Sequence, residues 1–528
     1  MFEALPSTPP RHFSWRAAFP TLALAAIWLL AGLFHQPWLP NETNSFAAIL
    51  GQLQAGLQLA PVIDSGSYNE HPPLLFWTAA LTAKLFSPLL SLHDGARIAS
   101  TLFTLIALAS LTVAAHFTLP TNRSHIAPLA LLASLGFIAP SHGLIPAVTA
   151  AAGMGLILAA FSLYSLRPYL AASLAAGGSL IGFLGHGLMT PVAFGLTLLL
   201  VPLLPGKPLP GYRAFASLSV ALFLPFAALW LGLLAHTHPD YLHNWLQQEW
   251  LRFSFSKPFK EQLETLSWFT WPTLPLLLIG GTRLFKRAAD VRPFYPALLL
   301  TLCWLVFAFS SLRELDKLPL LLPLAFLAAA ALQYVRRGWI NGFYWFGMMT
   351  ILFFAALFWF YWIVLQLGVP ATLARHLGKL APGHLPAVSW SITFIVVLLT
   401  VAWAVMSRWR QGTEQRCVLW IWASGATLIW SIIGLLLAGW LDYNRSLYPL
   451  SQQVRSVLPA QQACVDLSHL SAGNRKLFDY YLTLPGDNCS YALIETNKPV
   501  PPGMSVVWRG NLPSIKYADF TVLYRPEE

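Results

Sequence analysis

The chain is poor in charge. Only 10% of its 528 residues are Asp, Glu, Lys or Arg, while 56% are hydrophobic. A soluble domain carries about 25% charged residues, so an ordinary soluble fold is excluded. Acidic residues are scarcer than basic ones, 21 against 32, and the net charge is +11. A nucleic-acid binder would concentrate that excess on one soluble face. Instead it lies in short loops: Lys207 and Arg213; Arg283, Lys286, Arg287 and Arg292; Arg336 and Arg337; Arg408, Arg410 and Arg416. Cysteine is rare, with four in the chain. Cys303 and Cys417 fall in or at the end of apolar segments and read as packing residues. Cys464 and Cys489 lie in a polar C-terminal region and could form a disulfide on an oxidising side of a membrane; their spacing does not decide it. Internal repeats and low-complexity tracts are lacking. So is a small-x-small cleavage site after the apolar run Thr21–Phe34, which reads as a retained first helix.

What the chain has in abundance is apolar runs. Windows such as Ala18–Phe34, Trp339–Leu365 and Val388–Met406 are long enough for a hydrocarbon core of about 30 Å. The candidate segments are 18–36, 73–91, 97–118, 125–139, 143–164, 169–185, 187–205, 214–235, 268–282, 294–312, 318–335, 339–366, 389–407 and 418–441. Basic short loops are usually cytoplasmic. They place loops 206–213, 283–293, 336–338 and 408–417 inside, with anionic lipid contact a secondary role. Loops 37–72, 236–267, 313–317 and 367–388, and everything after 441, then lie outside. Parity requires one segment between 73 and 205 not to cross. The pairs 125–139/143–164 and 169–185/187–205 are the places for half-helices, which leaves about thirteen crossings.

The expected architecture is an all-α polytopic membrane domain over 1–441 and a small α/β domain over 442–528. Short strand-like runs in the latter are Gln462–Leu467, Tyr491–Ile494, Met504–Trp508 and Phe520–Tyr524. Loop 236–267 interleaves Tyr241, Trp245, Trp250, Phe253, Phe255 and Phe259 with His243, Gln247, Glu249, Arg252, Lys257 and Lys260. It reads as an amphipathic helix in the interface, or as an aromatic belt that only anchors the protein.

Ionisable groups that could do chemistry fall on the outer side. They are Glu42, Asp64, Glu70 and His71 in the first loop, Arg252 and Lys257 in the interfacial loop, and Arg313, Glu314, Asp316 and Lys317 between two helices. Acidic groups at a bilayer edge are costly unless they pair with a cation or act in chemistry. Asp64 and Asp316 read as solvated loop residues. His236, His238 and His243 have loose metal-ligand spacing without an evident fourth ligand, and neither a metal nor another cofactor is expected.

The run Gly66-Ser67-Tyr68-Asn69-Glu70-His71-Pro72-Pro73-Leu74-Leu75-Phe76-Trp77 resembles the (D/E)-(H/K)-P-P-L motif that opens the second helix of GT-C glycosyltransferases. The likeness is to the branch of protein O-mannosyltransferases and of the aminoarabinose and galacturonic acid transferases of lipid A and its core. Asn41-Glu42 falls where that family has an Asp-Glu pair. Arg252-Phe253 with Lys257-Pro258-Phe259 resembles its RF…PF segment, and Lys317-Leu318-Pro319 with Pro323 its KLP…P helix start. The order and spacing match over roughly the first two-thirds of the chain.

The resemblance implies a bacterial inner-membrane enzyme with its active site facing the periplasm. It would move one sugar, with inversion, from an undecaprenyl-phosphate carrier to a lipid or envelope glycan, lipid A or lipopolysaccharide favoured. Glu42, Glu70 and Asn41 then occupy catalytic positions, and His71, Arg252, Lys257, Arg313 and Lys317 bind substrate or phosphate. The chain departs from the pattern in three places. Asn41 stands where the family has Asp, and an amide cannot take a proton. Either Glu42 or Glu70 is then the base, or the acceptor is already anionic, or activity is lost. Ile145-Pro146-Ala147-Val148-Thr149 and Gly185-His186-Gly187-Leu188 replace stretches where the family carries Asp and Lys-Gly-Pro. The rivals are a protein O-glycosyltransferase, a transporter of polyprenyl-linked lipid, and a non-catalytic relative. A transporter usually places ionisable groups near the midplane, where this chain has little besides Lys84.

Overall fold

The computed structural model describes residues 15–63, 66–120, 123–206, 208–381, 388–409, 417–459, 464–483, 489–496, 500, 503–512, 515 and 519–524. Asp64, Lys207, Arg410, Arg416 and Gln462 lie outside the described residues. The protein is a multi-pass helical membrane protein. Within a bilayer every backbone polar group must be satisfied inside its own segment, which leaves helices as the solution for such apolar runs.

Among the described residues, seven helices are long and apolar enough to cross alone: Leu92–Thr118, Pro168–His186, Tyr212–Thr237, Leu315–Tyr334, Arg337–Leu367, Trp390–Arg408 and Cys417–Leu436. The segments Leu135–His142 and Ala147–Leu163 meet at a bend of 117°. This break falls in the first of the two pairs where parity asked for a non-crossing segment. Ala18–Ala31, Leu74–Phe86, Met189–Leu203 and Arg292–Ala308 are apolar but shorter. Several expected crossings therefore rest on helices too short to span without their neighbours.

Burial sorts the helices by solvent. The Leu315–Tyr334 window is 94% buried within the protein, whereas those of Arg337–Leu367 and Trp390–Arg408 are 17% buried and face lipid. Apolar character on all sides is required in both cases, so hydropathy alone could not tell the central helix from the peripheral ones. The inner helices approach closely through small residues. A Cβ on Gly153 would lie 2.3 Å from the Gly178 carbonyl, and one on Gly185 would lie 1.9 Å from Oγ1 of Thr149. Small residues at helix crossings serve this purpose in membranes, where dispersion and not water release drives association.

Outside the bundle, the first loop folds into the helix Thr43–Ala55 and a two-stranded hairpin, β1 (Val62–Ile63) with β2 (Gly66–Ser67). The C-terminal region forms a four-stranded sheet in the order β3 (Val465–Asp466), β4 (Tyr491–Glu495), β6 (Asp519–Tyr524), β5 (Ser505–Asn511). The β3–β4 pair is parallel and the others antiparallel, with a register shift between Val506 and Trp508. Cys464 and Cys489 are joined in a disulfide. The helix Ala472–Leu482 packs under this sheet, with Phe478 against Phe520, and leans on the first-loop helix. Tyr481 donates to Oε1 of Gln36 at 3.0 Å, and Lys476 donates to Gln54. The small sheet unit thus roofs the first loop. The expected boundary at 442 falls inside the helix Ala438–Arg445. There Asp442 accepts from the Gln36 backbone at 3.0 Å and from the Trp38 indole at 2.7 Å.

Candidate active site

Two clusters of polar groups lie in and beside the first loop. The first is closed. Glu42 is 3% exposed and precedes the helix Thr43–Ala55. Its carboxylate meets Nη2 of Arg97 at 3.2 Å and accepts from the backbone N–H groups of Trp38 and Leu144, each at 2.8 Å. Arg97, itself 1% exposed, also donates to the carbonyls of His35 and Gln36. Burial alone would raise the Glu42 carboxyl, but Arg97, His35 and the Trp38 N–H hold it below the usual carboxylate range. Every strong acceptor direction of Glu42 is taken, and what it does here is tie the first loop to the helix Leu92–Thr118 and to the bend at Gly143-Leu144. Asn41, next to it, is exposed.

The second cluster is open. A cleft of about 190 Å³ is lined by Glu70, Gln248, Leu251, Arg252, Ser311, Leu312, Arg313 and Asp316. These residues come from three chain-distant loops. Glu70 pairs with Nη1 of Arg313 at 2.8 Å and accepts from Tyr68 at 3.3 Å and Asn44 at 3.4 Å. Arg252, at the end of the helix Pro239–Arg252, is the hub. It donates to Oε1 of Glu249 at 2.7 Å, to the His186 carbonyl at 2.8 Å and to the Glu70 carbonyl at 2.6 Å. Its Nη2 also lies 2.8 Å from Nδ1 of His71. A planar five-donor fork can serve such a set of acceptors where a lysine could not.

His71 is 3% exposed. Burial, and then the Arg252 guanidinium, push its imidazole well below the ordinary histidine range. It is therefore neutral at physiological pH and accepts from Arg252, so the positive charge at this position is the arginine's. Lys317 and Lys257 do not line the cleft. Lys317 is 1% exposed and donates to Oε1 of Gln262, and Lys257 donates to the Leu312 carbonyl at 2.9 Å. They brace the loop that carries Arg313.

Two expectations are corrected. Asp316 is not a solvated loop residue: it is 5% exposed, because the 3₁₀ turn Leu315–Leu320 folds it inward, with Oδ1 3.4 Å from Nε2 of His186. The interfacial loop is two helices, Pro239–Arg252 and Phe259–Phe269. Its aromatic residues divide by role. Tyr241 and Trp245 are buried in a cluster with Phe183 and Trp230, while Trp250, Phe255 and Phe259 stay exposed. The residues that sequence reasoning passed over are His186 and Glu249. Glu249 was visible only as a polar residue three positions before Arg252, the spacing that lets a helix pair them. His186 sat in a stretch read as weakened. His236, His238 and His243 do not assemble with other ligands; among the described residues no three acid, His or Cys side chains gather as a metal site would need.

The turn after the helix Pro168–His186 is shaped by Gly187, at φ +114°, where a Cβ would lie 2.4 Å from the Glu249 carboxylate. That carboxylate also accepts from the Leu188 N–H at 2.8 Å. Gly187→Ala should therefore displace Glu249 and loosen Arg252, at a backbone cost of about 1–3 kcal/mol. A thermal melt of the purified protein checks it; an unchanged melting temperature would show that the turn relaxes freely.

No family model matches this sequence. An undecaprenyl phosphate-alpha-4-amino-4-deoxy-L-arabinose arabinosyl transferase of Pseudomonas savastanoi pv. phaseolicola is 29% identical over 337 residues, covering 60% of this chain and 62% of that protein. A second protein of that name, from Pseudomonas fluorescens, is 28% identical over 334 residues, covering 59% and 57%. The chain thus matches about three-fifths of the length of these curated relatives. Among solved structures, ArnT from Cupriavidus metallidurans bound to undecaprenyl phosphate superposes over 97% of this chain and 98% of its own, with TM-score 0.70 and 16% identity. Its apo form gives 0.67. The fold is the all-α polytopic GT-C fold with a small sheet domain.

Proposed function

We propose that this chain is an inverting glycosyltransferase that takes a single sugar from a polyprenyl-phosphate carrier and passes it to a lipid or glycan acceptor. The observation that carries the reading is the cleft itself. Arg252 and Arg313 converge with Glu70 and Asp316 at one end of an apolar helical body. A polyprenyl-phosphate sugar needs that combination: an apolar surround for the isoprenoid, cations for the phosphate that departs, and carboxylates for the acceptor. The relatives are named for transfer of aminoarabinose from undecaprenyl phosphate, which favours a lipid A-type acceptor. The bacterial inner membrane, with the cleft on the periplasmic side, fits the basic loops opposite it, and the Cys464–Cys489 disulfide supports an oxidising compartment for the sheet unit. The unit 442–528 roofs the first loop and would govern how the acceptor enters.

In this reading Arg313 and Arg252 face the donor phosphate and stabilise the charge that grows on it. Glu70 orients Arg313 and the sugar. Glu42 and Arg97 hold the loop that carries Glu70. His71 keeps Arg252 in register. Lys257 and Lys317 fix the far wall.

The test is mass spectrometry of envelope lipids from cells with the chain, without it, and with Glu70→Gln. A glycolipid that loses the mass of one sugar in the second and third strains is the expected result. An unchanged glycolipid profile, with transfer instead to a peptide acceptor, would replace this reading by protein glycosylation.

A further inference from the structure

Asp316, one of the two carboxylates that the transfer described above turns toward the acceptor, is backed by the buried imidazole of His186. Asp316 lines the cleft, and His186 stands behind it, away from solvent. Nε2 of His186 lies 3.4 Å from Oδ1 of Asp316, and neither ring nitrogen has a hydrogen-bond partner among the described residues. A buried imidazole left this way is costly unless it serves a purpose. Arg252 donates to the His186 carbonyl, and the rings of His71 and His186 are 5.5 Å apart, so the pair is locked to the hub. Three nearby carboxylates are each paired with an arginine. Glu42 is closed off by Arg97, Glu70 by Arg313, and Glu249 by Arg252. Position 41, where a base is expected, is an exposed asparagine.

We propose that Asp316 is the proton acceptor of the reaction, with His186 as its positioning partner, and that the acceptor substrate is accordingly a hydroxyl. This rests on the transferase reading. The acceptor oxygen bonds to the anomeric carbon as the bond from that carbon to the phosphate oxygen breaks. The hydroxyl proton passes to the Asp316 carboxylate, and the polyprenyl phosphate leaves with the electron pair. The charged and titratable groups around the pair are Arg252, Arg313, Glu70, His71 and Tyr68.

The experiment uses the full-length protein in nanodiscs with undecaprenyl-phosphate aminoarabinose as donor probe. Phosphorylated lipid A and a fully dephosphorylated lipid A, which offers hydroxyls alone, are the acceptors. Wild type should transfer to the hydroxyl acceptor. Asp316→Asn should lower its turnover about 100-fold or more, the range for loss of a general base, with little change in the KM for donor. Asp316→Glu should restore part of it. His186→Gln, which keeps Asp316, should lower turnover without abolishing it and leave the KM for donor unchanged. If wild type glycosylates phosphate groups alone, or Asp316→Asn melts normally and retains full turnover, the proton-acceptor role is overturned while the transferase reading stands. If wild type transfers to neither acceptor while unrelated peptide acceptors are glycosylated, the transferase reading falls and this inference with it.

Discussion

Arg252→Ala should abolish sugar transfer and lower stability together. The wild-type guanidinium serves Glu249, the His186 and Glu70 carbonyls, and His71. Glu249 is 1% exposed, so truncation leaves a carboxylate buried without its cation. Breaking a buried pair by removing one partner costs about 3–5 kcal/mol. The effect on rate is larger than that of a lost phosphate contact, because the first loop, the interfacial helix and the Gly187 turn lose their common anchor at once. Removing one preorganised donor at a developing charge costs about 100- to 1000-fold, and loss of register adds to it. Arg252→Lys keeps the charge without the fork. It should melt between wild type and Ala, and still transfer poorly. Initial rates and thermal melts of the three proteins are the measurement. An Ala variant with near-normal turnover would mean that the cleft is not the site.

Glu42→Ala should be destabilising to a similar degree, for a different reason. It removes the partner of Arg97, which is 1% exposed and held to the His35 and Gln36 carbonyls. An uncompensated guanidinium at that depth again costs about 3–5 kcal/mol. Glu42→Gln keeps the shape, so it should recover packing but not charge, and both stability and transfer should fall in step. Because the carboxyl is held below its usual range in the folded protein, its contribution is present at neutral pH. It is lost as pH falls through the depressed folded value. Glu42→Gln should therefore flatten the loss of stability on acidification relative to wild type. A Gln variant that melts like wild type yet transfers nothing would return Glu42 to the reaction as its base.

How the site reads from sequence depends on the residue. Glu70, Arg252 and Arg313 stand in polar loops at the edge of apolar runs, where charge is conspicuous, and the structure brings all three to one cleft. Lys257 and Lys317 are equally conspicuous, but they turn away, because a lysine chain reaches whichever carbonyl or amide lies nearest: Leu312 for one, Gln262 for the other. Asp316 reads as a solvated residue because it shares a charged loop with Arg313 and Glu314. A 3₁₀ turn of a few residues reverses that, and such a turn has no strong periodic signature.

The sequence by itself determined the class of this protein. Long apolar runs with scarce charge admit only transmembrane helices, and the short strand-like runs after 442 pair as strands of one sheet. Those are properties of chain segments facing a solvent, lipid or water, and a segment carries them wherever it packs. What only the tertiary structure decided is which charges meet. Glu42 with Arg97 is a pairing across 55 positions, and Arg252 with Glu70 and His71 spans more than 180. Their energies depend on distances of a few ångströms and on exclusion of water. Neither is set until the helices have crossed, so the sequence held the groups of the site while the packing of the bundle chose their partners.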